Sequence, residues 1–199
     1  MDLPTSITTV LLYAYLVGFV LLSRQAKESA GRNIDSFAKP EGTQIWTALL
    51  FKIGFVGAAA WGLFRATFPT WVPQWPPMFD WLVWPGFVAV FVGACVALGA
   101  QSQMAGSWRI GAVEGTLGTL VTRGFFAFSR NPVFVGQLAL FAGLALVKPD
   151  IVQVILSACV WIAAVWQVRI EEPILAKSLG QGYRDYAART PRWLGFSKE

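Results

Sequence analysis

The chain has 199 residues, of which 55% are hydrophobic, 15% aromatic and only 14% charged, with a net charge of +5. A soluble domain carries roughly 25% charged residues, so a soluble enzyme or binding domain is excluded. There is no histidine, and the two cysteines, Cys95 and Cys159, lie in apolar runs; this removes His-based catalysis, a disulfide framework and a Cys- or His-ligated metal site.

Five apolar runs approach the roughly 20 residues that a helix needs to cross a bilayer: Ile7–Leu22, Ile45–Phe64, Trp81–Ala100, Val133–Val147 and Ile151–Val168. The expected fold is an all-α, multi-pass transmembrane bundle of five spans. The first span lacks a basic leader, having only Asp2 before it, and reads as a retained anchor. In the second, Gly54, Ala58 and Gly62 line one face at a spacing of four. Ala89, Gly93 and Ala97 do so in the third, and Ala139 with Gly143 in the fourth. Small residues so spaced let membrane helices approach closely. The connection Phe68–Asp80, rich in Trp and Pro, reads as an interfacial belt. The fourth span is short, and only Lys148-Pro149-Asp150 separates it from the fifth, which predicts a tight hairpin.

Charge asymmetry orients the bundle. Arg24, Lys27, Arg32 and Lys39 follow the first span, with Lys52 near enough to snorkel to that side. Arg109, Arg123 and Arg130 precede the fourth, and Arg169, Lys177, Arg184, Arg189, Arg192 and Lys198 follow the fifth. The other side keeps Arg65 and Lys148. The positive-inside rule then puts the N-terminus outside and the C-terminus in the cytoplasm, in what is expected to be a prokaryotic cytoplasmic membrane. Because the basic residues follow the topology, no nucleic-acid partner is expected.

Two stretches on the basic side carry the chemistry. One runs from Gly124 through Phe126, Phe128, Ser129, Arg130, Asn131, Pro132 and Phe134 to Gly136. The other holds Glu171, Glu172, Pro173, Leu175, Gly180, Tyr183, Tyr186, Pro191 and Arg192. Tyr183 and Tyr186 share a helix face. With Leu175 and Leu179 they form an apolar stripe, which predicts a C-terminal helix lying on the bundle and opening at Glu171 and Glu172.

In order and spacing these residues resemble the integral membrane methyltransferases of the isoprenylcysteine carboxyl methyltransferase and phospholipid methyltransferase group. Gly124, Arg130, Pro132 and Gly136 match the first part of that pattern, with Phe126, Phe128 and Phe134 standing where it has tyrosines. Glu171, Glu172, Leu175, Gly180, Tyr183, Tyr186, Pro191 and Arg192 match the second. Ser107-Trp108-Arg109-Ile110-Gly111 also resembles it. The likeness spans roughly residues 105–196, within the catalytic half (105–199) of a single membrane domain whose residues 1–104 form three spans and whose C-terminal half holds the hairpin and C-terminal helix. One departure stands out: the family histidine is Asn131 here, which cannot carry a proton near neutral pH.

The resemblance implies an S-adenosylmethionine cofactor and methyl transfer to a lipophilic or membrane-delivered acceptor, with no metal. It implies a cofactor site of Gly124, Phe126, Arg130, Asn131, Pro132, Phe134, Glu171, Glu172, Leu175, Tyr183 and Tyr186, within which Arg130, Asn131 and Glu172 are the catalytic candidates. Gly136, Gln137 and Arg192 are expected on the acceptor side, near the fourth and fifth spans. A polar residue in an apolar helix faces the protein interior or a cavity, so Gln137 reads either as an interhelical hydrogen bond or as an acceptor-tunnel lining. Two other readings stand beside methyl transfer: an NADPH-dependent enzyme resembling sterol reductases, and a non-catalytic protein retaining the scaffold.

Overall fold

The computed structural model describes residues 3–31, 34–35, 37–38, 40, 42–72, 77–111 and 118–195. Asp2, Arg32, Lys39, Lys198 and part of the Trp/Pro-rich belt lie outside the described residues. Among the described residues six α-helices follow one another: α1 (Leu3–Ala30), α2 (Gln44–Thr67), α3 (Val83–Met104), the single turn α4 (Phe125–Phe128), α5 (Pro132–Val147) and α6 (Ile151–Arg189). Four of them, α1, α2, α3 with its flanking turns and α6, are long and apolar enough to cross a membrane. Their outward residues, among them Val10, Val17, Val56, Val88, Phe91 and Ile162, are exposed and apolar, as a lipid-facing surface requires.

The fourth span is the exception. Helix α5 has 16 residues, about 24 Å of rise, against a hydrocarbon core of about 30 Å. It is held by its seam with α3, where two glycine pairs bring backbones together. A methyl group on Gly136 would lie 2.6 Å from the Gly93 carbonyl oxygen and 2.5 Å from the Ala97 nitrogen. One on Gly143 would lie 2.5 Å from the Gly86 carbonyl oxygen. The seam on α3 is therefore Gly86, Val90, Gly93 and Ala97, all buried. Ala89 and Ala139, expected on the contact faces, are only half-buried beside it. In α2, Gly54 meets Val160 and Leu156 of α6, while Gly62 meets Thr9 of α1, so one small-residue stripe serves two partners.

Helix α6 corrects a second expectation. The fifth span continues as helix through Glu171 and Glu172 as far as a kink at Gly180, beyond which a second helical stretch carries Tyr183 and Tyr186 to Arg189; we take its membrane-spanning part as Ile151–Val168. Glu171 and Glu172 thus sit in mid-helix and do not open it. Pro173 removes one backbone donor without ending the helix, and the single break is Gly180, at φ +62° and ψ −138°. Nothing crowds that position; glycine serves the backbone conformation, which an L side chain disfavours.

At the end of the bundle away from the motifs, Asp150 closes the α5–α6 hairpin. Its carboxylate accepts from the Gln153 backbone N–H (2.9 Å), capping α6, and from Trp61 Nε1 (3.0 Å) and Arg65 Nη1 (2.8 Å). Arg65 Nη1 also donates to the Lys148 carbonyl (2.9 Å). Arg65 is buried and charge-paired, so that end presents even less free positive charge than its sequence suggests.

Candidate active site

The segment between α3 and α5 is built as a tight turn. Gly124 adopts φ +62° with the Gln103 side chain against its Cα, and Gln103 Oε1 accepts the Phe125 N–H (3.0 Å). After the single turn of α4, Ser129 is extended, and Pro132 opens α5, where its missing N–H costs nothing. The C-terminal segment locks this turn backbone to backbone. Arg130 N donates to the Pro191 carbonyl (2.9 Å) and Gly195 N to that of Phe128 (3.2 Å). Asn131 Nδ2 donates to the Arg192 carbonyl (3.0 Å). The amide at the position of the family histidine is thus a structural tie.

Helix α6 supplies the remaining ties. Tyr186 donates its hydroxyl to the Phe126 carbonyl (2.7 Å), with a longer approach to that of Ser129 (3.3 Å). Removing that hydroxyl in Tyr186→Phe leaves buried carbonyls without their donor, so we expect a loss of about 1 kcal/mol of stability. Thermal unfolding of wild-type and variant protein in one detergent checks it; identical midpoints would show that the bond contributes nothing. Glu172 bridges two guanidiniums, accepting from Arg130 Nη2 (3.2 Å) and from Arg192 Nη2 (2.6 Å). Glu171 points the other way. It is nine-tenths buried and accepts from Gln167 Nε2 (2.8 Å), whose amide oxygen accepts in turn from Thr47 Oγ1 (2.6 Å). Burial pushes the Glu171 carboxyl above its ordinary range, while the Arg109 guanidinium opposes that rise. The Tyr183 phenol is pushed up to about 12, chiefly by burial and secondly by the charge of Glu172.

These groups border a cavity of about 310 Å³. Its polar end is formed by Arg109, Arg130, Asn131, Glu171 and Tyr183, and its apolar end by Leu16, Phe19, Phe51, Phe55 and Val56. Among the expected cofactor residues, Phe126, Arg130, Asn131, Pro132, Phe134, Glu171, Leu175, Tyr183 and Tyr186 line it, as does Gln137. Gly124 opens the turn and does not line the cavity, and Glu172 and Arg192 line a second, shallow groove. Gly136 faces α3 and no part of the cavity, because its missing side chain is what lets α5 approach Gly93. The cavity does not run along the fifth span. Among the described residues none between Ile151 and Val168 lines the cavity, whose apolar wall comes from α1, α2 and α5.

Several lining residues escaped the sequence reading: Tyr15, Phe51 and Phe55, with Thr47 and Gln167 behind Glu171; Arg109 was seen in its motif stretch but not assigned to the site. A usable signal existed for the last two. Polar side chains in apolar helices mark interiors, as they did for Gln137.

Residues 83–182, half of the chain, match the phospholipid methyltransferase family. The chain belongs to that family. The matched stretch runs from the start of α3 to the residue before Tyr183, and so contains the turn, the α3–α5 seam and Glu171. Among curated proteins, none matches the chain. In fold it is similar to a solved eukaryotic intramembrane Ras methyltransferase, the isoprenylcysteine carboxyl methyltransferase. That likeness has a TM-score of 0.54 and 16% identity, covering 96% of this chain and 68% of the other. The protein is accordingly a membrane methyltransferase by family.

Proposed function

We propose that this family member transfers a methyl group from S-adenosylmethionine to a lipophilic acceptor that enters the cavity from the bilayer. The observation that carries this reading is the continuity of the cavity. A single chamber joins the charged turn at Arg130 to Val56, which is exposed on the lipid-facing surface of α2.

The donor set suits the cofactor. S-adenosylmethionine would supply an electrophilic methyl on a cationic sulfonium; aromatic faces and a carboxylate favour such a cation, and Phe126, Tyr183 and Glu171 border one end of the chamber. Displacement at that carbon needs alignment far more than proton transfer, so a chain without histidine can perform it. Arg130, fixed by Glu172, and Glu171, fixed by Gln167, are the positioning groups we assign. The acceptor would enter between α1 and α2. These helices touch where Thr9 meets Gly62 and where Tyr13 donates to the Ala59 carbonyl (3.3 Å). Further along, Leu16 and Val56 border the cavity.

Calorimetric titration with S-adenosylhomocysteine and with NADPH tests the reading. We expect the first to bind and the second not; binding of NADPH alone would replace methyl transfer by a reductase.

Topology belongs to the same proposal, because a cytosolic cofactor requires the turn and the C-terminal segment to face the cytoplasm. The Lys/Arg asymmetry supports that orientation, and the pairing of Arg65 with Asp150 sharpens it. A single cysteine placed at position 198 of a cysteine-free variant is expected to react with an impermeant maleimide only after permeabilisation. Labelling in intact cells would reverse the orientation.

A further inference from the structure

Among the described residues, a buried polar pair lies toward the apolar end of the cavity. Gln137 of α5 is 5% exposed and Tyr15 of α1 is 2% exposed; both line the cavity. Gln137 Nε2 donates to the Tyr15 hydroxyl oxygen (2.8 Å). The same amide's Oε1 has no hydrogen-bond partner although it is fully buried. Because the Tyr15 oxygen is the acceptor in that bond, its own hydrogen is not consumed by it. Phe55, stacked on the Tyr15 ring at 6.0 Å, holds that ring in place. The neighbouring wall is Phe19, Phe51 and Phe134, none of which donates a hydrogen bond. An unpaired acceptor therefore stands beside a hydroxyl whose hydrogen that bond leaves unused, against aromatic side chains that offer the acceptor no donor.

A hydrocarbon passing this point would leave the amide oxygen unpaired, which is unfavourable in a dry environment. A hydroxyl answers both groups at once, donating to Gln137 Oε1 and accepting from Tyr15. A protonated amine could also donate, but burying its charge here without a carboxylate is far costlier. Gln137 follows Asn131 by six residues on α5, about 9 Å of helix rise. We propose that Tyr15 and Gln137 form a recognition subsite for a hydroxyl carried part-way along the acceptor's apolar body, about 9 Å from the end presented at the Arg130 turn. The inference rests on reading the cavity as the acceptor chamber.

The test uses the full chain in lipid nanodiscs and two matched probes, 8-hydroxyhexadecanoate and hexadecanoate, with S-adenosylhomocysteine binding measured in parallel. Wild-type protein is expected to bind the hydroxylated probe about tenfold or more tightly than the plain one, as expected where a site's polar groups would otherwise stay unpaired. Gln137→Met keeps the side-chain volume and Tyr15→Phe the ring. Each is expected to bring the two affinities within about twofold of each other. S-adenosylhomocysteine binding reports that the variants are folded, and if Gln137→Met fails to fold, Tyr15→Phe carries the test. Equal affinities in the wild type, no binding of either probe, or a preference that survives both substitutions would overturn the subsite. A hydroxyl preference in wild-type protein that binds no S-adenosylhomocysteine would instead support the subsite and overturn methyl transfer.

Discussion

A Gly136→Leu protein is expected to be lost from the folded, detergent-extractable pool altogether. Even a single added carbon would sit 2.5–2.6 Å from backbone atoms of Ala97 and Gly93, where no side chain can move aside. The helices would have to separate, and α5 is too short to hold its place without that seam. Overpacking a well-filled core typically costs 1–3 kcal/mol when side chains can adjust (about that range); a backbone obstacle on the central seam costs more. Both ends of the site would fail together, because α5 carries Asn131 and Pro132 at one end and Gln137 beside the seam. Ala139→Leu is the control: it adds nearly as much bulk on a half-buried face of the same helix and should be tolerated. Size-exclusion profiles of the two variants in one detergent decide the matter. A monodisperse Gly136→Leu protein that binds S-adenosylhomocysteine normally would mean that α5 does not pack on α3 as described.

Why Gly136 was expected beside the acceptor and is found in a helix seam shows where sequence reasoning stops. Hydropathy located the first three helices well, since each must present an apolar surface to lipid. It could not give their rotation, because a residue facing lipid and one facing an apolar cavity look alike. Tyr15, Phe51 and Phe55 were invisible for that reason, and the α3 seam was read with Ala89 in place of Gly86 and Val90. The continuation of the fifth span past Glu171 and Glu172 to the kink at Gly180 was hidden differently. Hydropathy falls at Arg169, Glu171 and Glu172, but helix continuity depends on backbone bonds that charge does not interrupt. The motif residues were legible because polar side chains are rare in such a chain. Their partners were not: Arg65 and Asp150 are separated by 85 positions, and Glu172 reaches Arg192 across 20. Of two adjacent glutamates, only the fold distinguishes the clamp from the residue that faces the cavity.

That distinction gives the second large effect. Glu171→Gln keeps the shape of the side chain and can still hydrogen-bond to Gln167, but it removes the negative charge bordering the cavity. S-adenosylmethionine carries a sulfonium cation and S-adenosylhomocysteine does not, so the loss should fall on the first ligand selectively. A hydrogen bond or contact to a charged group contributes about 1.5–3 kcal/mol, which corresponds to roughly a ten- to hundredfold weakening. The dependence on pH has a definite sign. Burial raises the Glu171 pKa, so the carboxyl becomes neutral on acidification at a higher pH than an exposed glutamate would. Wild-type preference for the cationic ligand should therefore fall as pH is lowered through that raised value and be complete above it. Glu171→Gln protein should show no such step, whereas Glu172→Gln, whose site lies in the Arg130–Arg192 clamp, should keep it. Parallel calorimetric titrations of the three proteins with both ligands over a series of pH values provide the check. A wild-type preference independent of pH, or an unchanged preference in Glu171→Gln protein, would remove Glu171 from the cation's environment and shift that role to the aromatic faces of Phe126 and Tyr183.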